Sequence, residues 1–391
     1  MKIGIEAQRL LRPHKHGMDI VALETIQALV NNPEHEYVVF VKPDIAPDSL
    51  PSAPNLTVVE LPGGPYPAWE QYTLPKAVSQ YGLDMLHCTA NTAPLRRPVP
   101  LVVTLHDIIF LENRFLTGGN WYQRIGNLYR RWNVPRVVAS CERIVTVSDY
   151  ERQRIIEHLR LEPERVVTVH NAVSSQFRVI DNPDLLAQVR TQYGLPDEFM
   201  FFLGNADPKK NVRNVLKTLL LLQRRKQLSL PLVMLNVSPS YVNELLSEMG
   251  GHTLADHIIL PGYIPNTTLP LIYNAATIFL CPSLRESFGL PILEAMACGT
   301  PVLTASSSAM PEVAGDAALL ADPTSVEDMA TQLYRLLTQP ALRETLRLKG
   351  LARAALFSWQ HTANRLLNVY QQVSAQATQR SFPDVFIDQP A

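Results

Sequence analysis

Short runs of apolar and β-branched residues alternate along this chain with longer stretches in which apolar positions recur at helical spacing. In the first half, the runs at 2–7, 37–41, 101–105, 143–147 and 166–169 are brief, apolar and bounded by turn or polar residues, which predicts buried strands. Between them, Ile20, Leu23, Ile26, Gln27 and Val30 share a helical face, and Ser148 stands directly before a helical stretch at 149–160, where its side chain can cap the first turn. The alternation restarts after residue 198, with strand candidates at 199–203, 232–235, 258–260, 278–281 and 301–304. Strands that alternate with helices predict parallel sheets covered by helices, an α/β fold.

Between the two series, Asn182, Pro183, Gly194 and Pro196 interrupt the rhythm, and this places a domain boundary there. The expected division is a first domain at 1–178, a linker at 179–198 and a second domain at 199–356. Three helical segments close the chain near Ala375, leaving 376–391 as a loosely held tail. A length of 391 residues suits two domains, and 46% hydrophobic with 18% charged residues suits folded cores in both.

Charge and cysteine content narrow the function. Basic and acidic residues number 35 and 36, split as 19 against 18 up to residue 180, so neither half carries the basic excess of a nucleic-acid binder. Cys88, Cys141, Cys281 and Cys298 show neither a Cys-x2-Cys spacing nor nearby paired histidines, which argues against structural zinc and a disulfide framework. The opening MKIGIEAQRLL has too short an apolar stretch for a signal peptide, and no run of about 18 apolar residues is present to span a bilayer. A cytoplasmic protein is expected.

The most informative segment is CPSLRESFGLPILEAMACGTPVL at 281–303. A strand ends at Cys281, a polar loop carries Glu286, Ser287 and Gly289, a helix opens near Pro291, and Gly299 closes it. Amides from Ser287, Phe288, Gly289 and Leu290 at that helix start, together with the helix dipole, suit phosphate oxygens. Gly289 permits close backbone approach. Glu294, one turn into the helix, can accept hydrogen bonds from a ribose, and Glu286 ahead of it reaches another part of the same ligand. A second strand-to-helix loop, LGNADPKKN at 203–211, offers Lys209 or Lys210 as a cation beside a diphosphate. His106 ends the apolar run at 101–105 and is placed for a sugar hydroxyl, and Gly17 lets the backbone approach a ligand.

The segment ESFGLPILEAMACGTPVLTASSSAMPEVAGDAALLADP resembles the signature of retaining glycosyltransferase family 4. So do VTLHD at 103–107, IVTVSDYER at 144–152 and the ending FSWQHTANRLLNVY at 357–370. The resemblance implies the GT-B fold, two Rossmann-like domains facing across a cleft, with a C-terminal helix at 357–375 crossing back to the first, acceptor-binding domain. It also implies a nucleoside-diphosphate sugar bound to the second domain as donor. Glu294 then holds the ribose, Glu286 contacts sugar hydroxyls, and Lys210 binds phosphate. Many members carry an arginine where this chain has Asn205 and an Asn-Gly pair where it has Asn171 and Ala172. Catalysis would rest on His106, Lys210 and Glu286, with Gly17, Asn205, Lys209, Lys210, Ser287, Phe288, Gly289, Leu290 and Glu294 binding the donor, and with no metal and no further cofactor. The acceptor would be a glycan or a lipid-linked glycan in cell-surface polysaccharide or glycoconjugate synthesis.

Two aromatic segments could stack on an acceptor: GGPYPAWEQ with Tyr66 and Trp69, and a basic stretch holding Trp121, Tyr122, Arg124, Tyr129, Arg130, Arg131, Trp132 and Arg136. The latter leaves room for peripheral contact with the inner face of a membrane. Rival activities fit less well. A nicotinamide dehydrogenase needs a Gly-x-Gly-x-x-Gly after the first strand, where EAQRLLRPHKHG stands, and a glycoside hydrolase needs carboxylates on both sides of the bond. A non-catalytic GT-B subunit that binds a nucleotide or glycan is the alternative from a different class.

Overall fold

The apolar runs become the strands of two parallel sheets. In the computed structural model the described residues are 1–12, 17–44, 50–112 and 121–381, with the backbone alone described at 121–124 and 378–381. The chain divides into two compact units: Met1–Asn171 together with the segment from Trp359 onward, and Ala172–Ser358.

The first unit holds β1 (Lys2–Glu6), β2 (Glu36–Val41), β3 (Leu56–Glu60), β4 (Met85–Cys88), β5 (Leu101–Thr104), β6 (Arg143–Thr146) and β7 (Val166–Thr168), in the order β3-β2-β1-β4-β5-β6-β7. The second holds β8 (Met200–Leu203), β9 (Leu232–Leu235), β10 (Ile258–Ile259), β11 (Ile278–Cys281), β12 (Val302–Ala305) and β13 (Leu319–Ala321), in the order β10-β9-β8-β11-β12-β13. Every pairing is parallel, and the register sets Ile5 against Val39 on one side and His87 on the other, and Leu280 against Phe202 and Leu303.

Each sheet grows outward in both directions from its first strand, so each has a point where the connections part to opposite sides. These points lie between β1 and β4 and between β8 and β11, and the carboxyl ends of strands there are where open α/β sheets form ligand crevices. The rigid bodies behind them are two cores. One packs Phe40, Trp69, Leu86 and Val103 among others, and the other packs Phe202, Leu216, Met234 and Leu280. Each large side chain so buried contributes roughly 1.5–3 kcal/mol.

Three strands, β3, β4 and β13, lie where no strand was expected. β3 is a partly exposed edge, β4 carries a histidine, and β13 has three residues, so none shows the long apolar run that marks a buried strand. The expected linker is also corrected: Pro183–Tyr193 is a helix within the second unit. Asn182 Oδ1 accepts from Leu185 N at 3.0 Å, Pro183 occupies the first turn, and Gly194 closes the helix at φ 62°. The residues that punctuate this stretch are helix caps.

The last helix is Trp359–Ser381, longer than expected, and it belongs to the first unit. Its Tyr370 hydroxyl lies 2.7 Å from His87 Nδ1 in the middle of the first sheet, and Thr362 Oγ1 donates to His170 O at 2.8 Å. The expected tail is thus helical as far as Ser381, and 382–391 lie outside the described residues. Ser148 caps Asp149–Leu159 by accepting from Glu151 N. All four cysteines are buried and free. Among the described residues, no helix is long and apolar enough to cross a membrane.

Candidate active site

At the crevice of the second sheet, two loops are tied together before any side chain reaches outward. The loop after β8 turns through Pro208–Lys210, where Asp207 Oδ1 accepts from Lys209 N at 3.1 Å. Asn211 follows in the left-handed region at φ 64°, and its Nδ2 donates to the carbonyls of Pro282 at 2.9 Å and Pro323 at 2.7 Å. In return, Leu284 N, in the loop after β11, donates to the Lys209 carbonyl at 2.7 Å. An asparagine tolerates that backbone conformation better than most residues, and here its amide also joins the two loops.

Lys210 Nζ meets Glu286 Oε1 at 2.7 Å, and Ser283 Oγ donates to the same oxygen at 2.8 Å. The main chain of Glu286 is pinned by Ser308 Oγ, which accepts from its amide at 3.1 Å and donates to its carbonyl at 2.5 Å. Both charged side chains keep some contact with solvent, at 17% and 15% exposure, so a ligand can reach them. Burial works to lower the Lys210 pKa, but the charge and hydrogen bond of Glu286 outweigh it and leave the ammonium above its ordinary value. It stays a cation across the physiological range.

Gly289 stands just before the helix Leu290–Ala297 at φ 102°, which is strained for any side chain, and an added Cβ would come within 3.1 Å of Ile292 Cδ1. The helix thus opens on a buried, side-chain-free residue in the same loop as Glu286, and helix starts suit anionic oxygens. Glu294 lies one turn further in, half-buried, with Oε2 accepting from the Tyr273 hydroxyl at 2.9 Å. Desolvation pushes its pKa up to about 7, against the Tyr273 hydrogen bond and the Lys210 charge, which pull it down. Tyr273 is fully buried, with Phe201 and Phe279 edge-on at 5.0 and 5.1 Å.

The structure therefore brings together Lys210, Glu286, Gly289, Leu290 and Glu294, and separates some of their expected companions. Lys209 is 40% exposed and pairs with Asp207 at 3.6 Å, away from Glu286. Asn205 Oδ1 accepts from Asp207 N at 2.9 Å, which shapes the loop. Phe288 turns inward against Phe357 at 5.9 Å, and Ser287 is half-buried beside it. Ser283, Ser308, Asn211 and Tyr273 were not foreseen.

In the first unit, His106 is buried after β5, its Nε2 donating to the Thr89 carbonyl at 2.9 Å and its amide to Asn91 Oδ1 at 2.7 Å. That bond to a carbonyl places the proton on Nε2 and leaves Nδ1 as the acceptor, and burial keeps the ring neutral by lowering its pKa. Gly17 is exposed at the start of the helix Gly17–Leu29, with open space where a Cβ would stand.

Trp69 is a correction: it is a core residue, 0% exposed, with Nε1 donating to Leu61 O at 2.8 Å. Tyr66 remains at a pocket wall, its hydroxyl donating to Glu70 at 2.6 Å. In the basic stretch Tyr129 also turns inward to Glu70, Arg131 donates to Phe110 O, and Arg136 lies over the exposed ring of Trp132 at 5.1 Å. The side chains of Trp121, Tyr122 and Arg124 lie outside the described residues.

The family model described as Glycosyl transferases group 1 matches residues 189–352, and that described as Glycosyltransferase Family 4 matches residues 16–177. The chain is 32% identical over 271 residues to O-antigen chain mannosyltransferase B of Escherichia coli, covering 69% of this chain and 70% of that one. It is 30% identical to the serotype-specific mannosyltransferase WbdA of Escherichia coli over 71% of its own length, which is 35% of WbdA. Among solved structures, Anabaena Alr3699/HepE in complex with UDP-glucose superposes with a TM-score of 0.71 at 17% identity, covering 95% of this chain and all of that one. With its two parallel-sheet units, the chain belongs to glycosyltransferase family 4 and is a glycosyltransferase of the GT-B fold.

Proposed function

We propose that the chain transfers a hexose from a nucleoside diphosphate to a hydroxyl of a glycan or lipid-linked acceptor, with retention at the anomeric carbon, in the assembly of a cell-surface polysaccharide. The reading rests above all on the 2.7 Å pair of Lys210 and Glu286 in the loop that runs through Gly289 into a helix. That crevice offers a fixed cation and a helix start to a diphosphate, and it offers carboxylate oxygens to hydroxyls on either side. It is supported by the UDP-glucose held by the Anabaena structure and by the O-antigen mannosyltransferase name of the E. coli relative.

In this mechanism the sugar–phosphate bond weakens, negative charge grows on the diphosphate, and Lys210 with the helix amides offsets it. The departing phosphate oxygen takes the acceptor proton on the face it leaves, so no protein nucleophile is called for. Glu294 accepts from the ribose, Glu286 from the sugar, and His106 Nδ1 is proposed as an acceptor for a sugar hydroxyl. No metal enters the scheme, and work at the cytoplasmic face of a membrane is part of the proposal. The test is a panel of UDP-, GDP- and ADP-sugars with mannoside, glucoside and galactoside acceptors, beginning with GDP-mannose. Product with the donor's anomeric configuration by NMR is expected, whereas an inverted product or activity abolished by a chelator would overturn the scheme.

A further inference from the structure

The loop that carries Glu286 is also held from a third strand, by a residue whose backbone conformation does not suit its side chain. Ser308 follows β12 in a turn at φ 61°. That left-handed region suits glycine and, less well, asparagine, so a serine there is strained. Strain of this kind persists where the surroundings hold it, and it clusters at sites where the side chain does something glycine cannot. The turn is anchored on the sheet, because Ser306 N donates to the Ala321 carbonyl of β13 at 2.8 Å, and the helix Met310–Ala314 follows directly.

The Ser308 hydroxyl uses its whole bonding capacity on two adjacent residues. It donates to the Glu286 carbonyl at 2.5 Å and accepts from the Glu286 amide at 3.1 Å and from Arg285 Nη1 at 3.3 Å. One proton and two lone pairs are thereby all engaged, and one side chain grips both main-chain groups of Glu286. The carboxylate is held separately, with Lys210 Nζ and Ser283 Oγ both on Oε1. Neither of those two fixes the residue in space. The lysine is a flexible stem with a rotating ammonium, and Ser283 rides on the same loop as Glu286. Leu284 N ties that loop to the Lys209 carbonyl two residues earlier, and Ser308 is what holds it at Glu286 itself.

We propose that Ser308 is a positioning residue for the transfer: its hydroxyl clips the Glu286 main chain so that the carboxylate stands where a hydroxyl of the donor sugar arrives. The role of Glu286 toward the sugar rests on the proposed function, whereas the clip between the two residues stands apart from it. The relation also accounts for a serine in place of glycine at φ 61°. Ser308→Gly separates the clip from the fold, because glycine relaxes the turn while removing all three bonds.

The full chain is compared with Ser308→Gly by amide hydrogen exchange and by donor kinetics. Exchange of the Glu286 amide is expected to speed about tenfold or more, with the amides of β8 and β11 and the melting temperature kept at wild-type values. On the best donor, kcat/KM is expected to fall about tenfold, since a misplaced group far outweighs a lost surface contact. In a Glu286→Ala background the same change is expected to move kcat/KM less than about twofold, because the group it positions is gone. Wild-type protection of the Glu286 amide in Ser308→Gly would overturn the clip. An equal loss of kcat/KM with and without Glu286 would overturn action through Glu286 and leave Ser308 merely structural. Glu286→Ala at wild-type kcat/KM, with the amide exposed in Ser308→Gly, would instead sink the donor role of Glu286, and the positioning role with it, while the clip stands.

Discussion

The two sheets part their connections at equivalent points, yet the crevices there are built from opposite chemistry. At β8 and β11 the sequence places a lysine against a glutamate, 2.7 Å apart and still in reach of water, in the loop that Gly289 turns into a helix. At β1 and β4 it places Glu6 over a fully bonded Glu70, with burial and the Glu70 charge pushing the Glu6 pKa up to about 7 against Arg9 and the Gln8 amide. One crevice holds a permanent cation and is suited to a diphosphate. The other holds a buried carboxyl whose protonated form is favoured by burial. The same α/β scaffold thus carries two different chemistries on the residues that end two strands and begin two loops.

The largest expected effect breaks the second crevice alone. Lys210→Ala should cost about 2.7 to 4 kcal/mol of barrier, at least about 100-fold in turnover, measured as kcat on the best donor of the panel. Turnover within a few-fold of wild type would remove the lysine from the scheme. The next effect belongs to the first crevice and concerns stability. A carboxyl raised from 4.5 to about 7 keeps its proton in the folded chain while the unfolded chain loses it, so its stabilising contribution is full below about pH 4.5 and is lost as pH rises through 7. The change is about 3 kcal/mol for Glu6, and melting curves between pH 5 and 8 should be flatter in Glu6→Gln than in the wild type. Parallel curves would contradict the buried-acid account.

Two smaller effects sharpen the geometry of the second crevice. Asn211→Ala forfeits the bonds to Pro282 and Pro323 and puts a Cβ-bearing residue without a helpful side chain at φ 64°, so a loss of about 2 kcal/mol by denaturant titration is expected. Tyr273→Phe removes the hydroxyl that favours ionised Glu294, worth about 1 kcal/mol. Since burial already raises Glu294 to about 7, the variant should titrate higher. Its donor KM should rise about fivefold at neutral pH and recover at alkaline pH, with kcat little changed. A pH-independent loss would mark Tyr273 as structural only.

Legibility in the sequence followed contiguity. Ten of the strands announce themselves as apolar runs, and the segment from Glu286 to Glu294 shows its loop, glycine and helix within nine residues. Lys210 could be read as a cation at a helix start, but its meeting with Glu286, 76 positions away, depends on β8 lying next to β11. Ser308 stands in a turn at φ 61° and Tyr273 in a helix, and their partners Glu286 and Glu294 lie far from them in sequence. Glu6 gave one weak signal, an acid closing the apolar strand KIGIE. Its significance comes from Gln8, Tyr66, Glu70 and Thr89 gathering around it, which no local pattern encodes. Trp69 misled for the converse reason, because an aromatic beside glycines and prolines looks like a surface stacker until the core closes over it.

The seat for diphosphate beside Lys210 is tested most directly by calorimetric titration of UDP and GDP into the wild-type chain and into Lys210→Ala. The account expects one of the two nucleotides to bind the wild-type chain and to bind the variant at least tenfold more weakly, the loss of a charge-assisted contact of about 1.5 to 3 kcal/mol. Equal dissociation constants in the two proteins would contradict it.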